Sequence, residues 1–245
     1  MSLSAEQIQS NWEKFIGYIN TYISDPRREK VLAFYKKFED DLVLMPASHK
    51  TAYHNAFPGG YIDHVNRVIE YSIKCKRLYE EMGGTIDFTD EELVFAGIFH
   101  DLGKLGDGDT HNYIPQTDKW RQDKLSEMYT FNPDLDFMLI PDRSLFILQS
   151  FGIKVSQKEF LAIRLHDGVF DKANEAYFFS NVESSRQKTA LVSVLHTADF
   201  LASKVEYDIW KAAGGNSTPK VKKTAASTGR PVKASEGLSN LLKNI

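Results

Sequence analysis

The chain has 245 residues, 42% hydrophobic and 26% charged, an ordinary globular composition with room for one large domain or two small ones. No apolar run approaches membrane-spanning length, no signal peptide is recognisable, and the single cysteine, Cys75, excludes an internal disulfide, so a cytoplasmic protein with no membrane partner is expected. The net charge of −3 is uneven: residues 213–245 hold six basic residues and one acid, which leaves an acidic body unsuited to broad duplex binding.

The elements read almost entirely as helix. "SAEQIQSNWEKFIGYINTYIS" has helical apolar spacing and opens on a Ser4-x-x-Gln7 capping box. Asp25-Pro26 ends it and starts "RREKVLAFYKKFEDDLVLMP". Residues 46–60 form a loop closed by Pro58, Gly59 and Gly60. The next helix puts Ile62, Val65, Ile69 and Ile73 on one stripe, with Cys75 as a small hydrophobe within it, and ends at a glycine pair. Thr89-x-x-Glu92 caps the helix that runs into "FAGIFHDLGK" at 95–104. Residues 105–142 show little periodicity and read as an irregular insertion. Ser156-x-x-Glu159 opens a helix that stops near Gly168. A last long helix spans roughly 184–212, with Leu191, Val194, Leu195, Ala198, Leu201, Ala202 and Val205 as its core face. The expected organisation is a helical core over 1–212, a flexible basic linker over 213–235, and a short segment, 236–245, able to dock on the body or on a protein partner.

His64, His100 and His196 fall within apolar helices, and His166 falls near a helix end. Asp199 follows His196 by three residues and shares its face. His100 and Asp101 are adjacent, so they point apart and share an ion only at a junction that other helices complete. His64 and Asp199 can complete it. Two imidazoles and two carboxylates suit Mn, Fe, Co, Ni or Zn, and Mg less well, with positions left for water and a substrate oxygen. Such a site can deliver hydroxide to phosphorus. Lys104 can neutralise a phosphoryl oxygen, or simply favour a helix C-terminus. The insertion offers Lys119, Arg121 and Lys124 for phosphates and Tyr113, Trp120 and Tyr129 for stacking.

His64, the pair His100-Asp101 within "HDLGK", and Asp199 within "LHTADFLA" resemble the defining motif of the HD-domain superfamily of metal-dependent phosphohydrolases. "HNAFPGGYIDH" at 54–64 is similar to the segment before the first metal histidine in a branch that includes 3′-to-5′ exoribonucleases, and "YIPQTDKWRQDKLSEMYTFNP" resembles HD proteins of large-tailed phages. The resemblance implies an all-α HD-domain helical bundle, located in the host cytoplasm if the chain is phage-encoded. It implies His64, His100, Asp101 and Asp199 as ligands of a first metal, and His166 and His196 as ligands of a second or as proton-handling groups. His54 and His111 become further candidates for substrate contact. The expected activity is metal-activated hydrolysis of a nucleotide phosphoester or phosphoanhydride, with one or two divalent ions. The alternatives are a 3′-5′ exonuclease on nucleic-acid ends and an HD-fold diiron oxygenase.

Overall fold

The computed structural model describes residues 2–53, 55–180 and 182–215. The Ser4–Gln7 capping box forms and opens α1 (Ala5–Tyr22), and α2 (Arg27–Lys37) starts directly after Pro26. The segment that follows is not one helix, as expected, but two. The chain turns at Phe38 and begins again as α3 (Glu39–Leu44). Glu39, Asp40 and Asp41 fill the first turn of α3, where carboxylates favour the positive end of the helix dipole, so this acidic triplet marks the new start. The Ile62, Val65 and Ile69 stripe is buried on α4 (Gly60–Glu81), with Cys75 half-buried at the margin of the core. The Thr89–Glu92 box opens α5 (Asp90–Phe99), which buries every residue from Leu93 to Phe99 and is the central helix.

Residues 105–142 carry a small frame where irregular chain was expected. Strand β1 (Tyr113–Pro115) pairs antiparallel with β2 (Tyr129–Phe131), Tyr113 opposite Phe131, and α6 (Lys119–Leu125) lies between them in sequence. The expected boundary at 142 also moves. Helix α7 (Ile140–Ser150), absent from the sequence reading, starts with Pro141 in its first turn, where proline is preorganised for a helix. It packs on a 3-10 turn at Leu102–Leu105. Only glycine fits at 103, because a Cβ there would lie 2.2 Å from the Ile140 carbonyl oxygen. The Gly103 N–H donates to Ser144 Oγ at 2.7 Å. Buried Arg143 donates to the Gly103 carbonyl, to the Asn112 side chain and to the Asp136 carbonyl, which ties this turn to the start of the ribbon.

The Ser156–Glu159 box opens α8 (Gln157–Leu165), and a short α9 (Glu175–Phe178) follows. The last helix, α10 (Ala190–Ala212), begins after the Thr189 cap rather than near 184, and residues 183–185 form a separate 3-10 turn. Its core face keeps Leu191, Val194, Leu195, Ala198 and Ala202. Leu201, expected in that stripe, is exposed, and Glu206 takes the next buried place after Ala202. α10 packs along α4 and α8, and α5 packs against the same two helices. One hydrophobic cluster extends from Trp12 to Ala202. Apart from the two three-residue strands, the regular structure of the described residues is helical, so the fold is all-α. No helix among the described residues is long and apolar enough to cross a membrane. His54, residues 216–235 of the expected linker, and segment 236–245 lie outside the described residues.

Candidate metal centre

The α5 helix ends at Phe99, and its last turn delivers two adjacent residues to one junction. His100 keeps helical backbone angles while Asp101 leaves them (φ −108°, ψ 9°), which removes the divergence that a continuing helix would impose. His64 arrives from α4, His166 from the end of α8, and Asp199 from α10. The donor atoms of His64, His100 and Asp101 lie within 4.8 Å of one another, as do those of His100, His166 and Asp199.

Asp101 is the hub. Its Oδ2 lies 3.6 Å from His64 Nε2 and 3.5 Å from His100 Nε2, and its Oδ1 lies 3.7 Å from His166 Nε2. Asp199 Oδ1 lies 3.1 Å from His64 Nε2 and 3.9 Å from His100 Nε2. Ligand atoms about 2.1 Å from a shared ion stand about 3 Å apart at right angles and about 4 Å apart when opposed. The observed separations fall in that interval. His100 Nε2 is fully buried and has no hydrogen-bond partner among the described residues. A buried orphan acceptor is costly unless something binds it. Together these residues can hold a metal ion.

The far side of each imidazole shows why Nε2 faces the junction. His100 Nδ1 is 2.8 Å from the Gly97 carbonyl oxygen, and His166 Nδ1 is 2.8 Å from that of Ile163. A carbonyl oxygen only accepts, so Nδ1 must carry the proton. In the neutral ring, Nε2 is then the nitrogen with the free lone pair. His64 Nδ1 donates instead to a carboxylate, Glu206, at 3.0 and 3.2 Å from its two oxygens. Glu206 also receives Arg67 Nε at 3.1 Å. A carboxylate behind a ligating histidine fixes its tautomer and raises its basicity. Sequence reading missed Glu206, whose only signal is an acid at a core position of α10.

Buried opposite charges set the protonation states. Burial alone would lower the pKa of His64, but Glu206 and Asp199 outweigh it and push the value up to about 10. For His166, burial is outweighed by Asp167, Asp101 and Asp199, which also push it up to about 10. Burial would raise the Asp101 carboxyl, yet Lys104 and His100 hold it well below the usual carboxylate range. Asp199 is likewise lowered against burial, first by its hydrogen bond with His64. Lys104 is not one turn beyond His100 on a continuing α-helix, as expected. It sits in the 3-10 turn, buried, with its Nζ on Asp101 Oδ2. Asp101 and its other neighbours keep its pKa raised although burial acts against the charge.

His196 stands apart from the donor cluster. Its Nδ1 donates to the His166 carbonyl at 2.6 Å, so it buttresses the α8 end, and it belongs to neither group of clustered donors. Gly168 makes room for this ring. Its φ is +57°, and a Cβ there would lie 2.5 Å from His196 Cε1. Gly168→Ala is expected to cost about 1–3 kcal/mol from the left-handed backbone and the clash. A thermal melt equal to that of the wild type would show that the ring has room to move.

Two cavities flank the cluster. The smaller, about 290 Å³, is lined by Ser48, His49, Asp101, Lys104, Tyr113 and Phe131, among others. The ribbon roofs it, with Tyr113 and Phe131 packed around the His49 ring. The larger, about 960 Å³, extends from His166 and Asp199 along α10. The α6 side chains expected to contact substrate do not line either cavity. Lys119, Trp120, Arg121 and Lys124 are exposed, and Arg121 is paired with Glu127 at 2.9 Å. The hydrogen-bonded turn and cap that build α6 aim these groups at solvent. Tyr129 does not line the cavities either, whereas Tyr113 does. His111 is exposed, 3.6 Å from Asp41, and lines a separate cleft that also reaches Lys104. No family model, curated protein or solved structure matches this chain.

Proposed function

We propose that the chain is a metal-dependent phosphohydrolase of the HD-domain type, acting on a nucleotide phosphoester or phosphoanhydride. The observation that carries this reading is Asp101, a carboxylate shared by three histidines and a buried lysine at the edge of a cavity. His64, His100, Asp101 and Asp199 would hold the ion. Asp101 turns Oδ2 toward His64 and His100 and Oδ1 toward His166, so both of its oxygens face imidazole donors. The nitrogen and oxygen donors, with no thiolate, favour Mn, Fe, Co, Ni or Zn over a soft ion.

A divalent ion bound there would polarise a phosphoryl oxygen and make water more acidic. The chain supplies the rest. Lys104 brings a permanent positive charge to the wall of the small cavity, where it can receive an equatorial phosphoryl oxygen. The small cavity admits a phosphoryl group, and its ribbon roof limits water. His196, held through Nδ1, leaves Nε2 as the nitrogen that would take up a proton and then pass it to a leaving oxygen on the side of the larger cavity. A diiron oxygenase of this fold would draw on His196 as a metal ligand, and here His196 lies outside both groups of clustered donors.

A panel of nucleotides with each divalent metal, reading phosphate, pyrophosphate and triphosphate release, tests the reading. Turnover with one of these products is expected. Oxygen uptake by the iron form with no phosphoester turnover would replace the reading with the oxygenase. Lys104→Met is expected to lower kcat about 100-fold while leaving metal content unchanged. An unchanged kcat would remove Lys104 from the chemistry. Metal uptake must displace a proton from His64, so apparent affinity is expected to rise with pH towards about 10. Isothermal titrations in buffers of different ionisation enthalpy would count the protons released, and none released would contradict this assignment.

A further inference from the structure

One face of α10 is neither core nor an ordinary solvated surface. His196, Asp199, Phe200, Ser203, Lys204 and Tyr207 are linked by i,i+3 and i,i+4 relations, so they form one stripe that passes the cluster at Asp199, and all six line the larger cavity. A solvated stripe would carry flexible polar side chains. This one carries Phe200, 40% exposed, faced from the loop after α8 by Phe170, 74% exposed. The two rings are nearly parallel, at 8°, with centroids 6.1 Å apart. Lys204 Nζ lies 5.3 Å from the Phe200 ring centre, which adds a cation beside an aromatic face. From Asp199 to Tyr207 the stripe runs about 12 Å along the helix axis, roughly the length of a mononucleotide.

We infer that the Phe170, Phe200 and Tyr207 wall of this cavity is a subsite for a planar heteroaromatic ring of the substrate, with Lys204 beside it. The inference rests on the proposed phosphohydrolase reading for what lies at the other end of the stripe. The two cavities differ in the right sense. About 290 Å³ beside Lys104 has room for a phosphoryl group next to the cationic side chain, while about 960 Å³ along α10 has ample room for a base and sugar together. The scissile phosphate would then sit at the cluster and the nucleoside would leave towards Phe200. Exposed flat rings gain from covering a base, and stacking reads any base by its face rather than by its hydrogen bonds. Low discrimination among bases is therefore expected.

Two measurements separate the ring subsite from the phosphate chemistry. In the first, adenosine, which has no phosphate, is titrated into the full chain calorimetrically, with inorganic phosphate as a second probe. Adenosine is expected to bind, Phe200→Ala to weaken it at least about tenfold, and phosphate binding to stay unchanged. No adenosine binding, or equal binding by Phe200→Ala, would overturn the subsite. The second compares hydrolysis of adenosine 5′-monophosphate and ribose 5-phosphate, which share a leaving alcohol and differ by the base. A KM at least about tenfold lower for the nucleotide, lost in Phe200→Ala, supports the subsite. Equal KM values overturn it and leave the phosphohydrolase reading intact. No turnover of either removes the phosphomonoester form of that reading instead, and the adenosine titration still decides the subsite.

Discussion

Asp101→Asn is expected to strip the protein of its divalent ion and to lower hydrolysis by about a thousandfold. One carboxylate serves three imidazoles, so no neighbour can take its place. Its loss also strands Lys104, a buried ammonium whose side chain it partners. Breaking one member of such a buried pair costs about 3–5 kcal/mol, so a drop in activity alone would not separate lost metal from lost fold. The double variant Asp101→Asn/Lys104→Met removes both charges. It is expected to recover thermal stability relative to Asp101→Asn without recovering metal. Recovery of metal in the double variant would show that Asp101 is a structural partner of Lys104 and nothing more.

Glu206→Gln is expected to weaken metal binding about 10–100-fold while the fold survives. Glutamine keeps the size and an acceptor for His64 Nδ1 but loses the charge that raises the basicity of the ring. Arg67 retains Asp63 Oδ2 at 3.0 Å, so the arginine is not left unpaired. Competition against a chromophoric chelator measures the change. Unchanged affinity would reduce Glu206 to a packing role, and a collapsed melting temperature would assign it to stability.

How much of this was legible in the sequence depends on the range of the interaction. The capping boxes at Ser4, Thr89 and Ser156 involve residues three apart, and all three form with the reciprocal bonds their spacing implies. The gathering of His64, His100, Asp101 and Asp199 was also readable, because residue types that are costly to bury recur within apolar helices. Glu206 was not. It lies 142 residues from His64, and an acid one turn past Ala202 looks like the solvated edge of a stripe until the partner helix is in place. Leu201 failed for the matching reason: its apolar side chain suited the core, but its angle on α10 placed it outside. The insertion misled in a third way. Its two strands are three residues each, too short for an alternating pattern to emerge. Trp120 and its basic neighbours have the right chemistry for a nucleotide, and only the fold shows them facing away from the cluster while Phe200, in a helix that looked like core, faces the cavity.

Whether this junction is a metal centre is tested most directly by metal itself. The full chain would be dialysed to equilibrium against Mn, Fe, Co, Ni or Zn, then analysed for bound ion per chain beside Asp101→Asn prepared identically. Wild-type protein should hold at least one tightly bound ion, and the variant none. A wild type that takes up no ion, or a variant that binds with equal stoichiometry and affinity, would contradict the assignment of His64, His100, Asp101 and Asp199 as ligands.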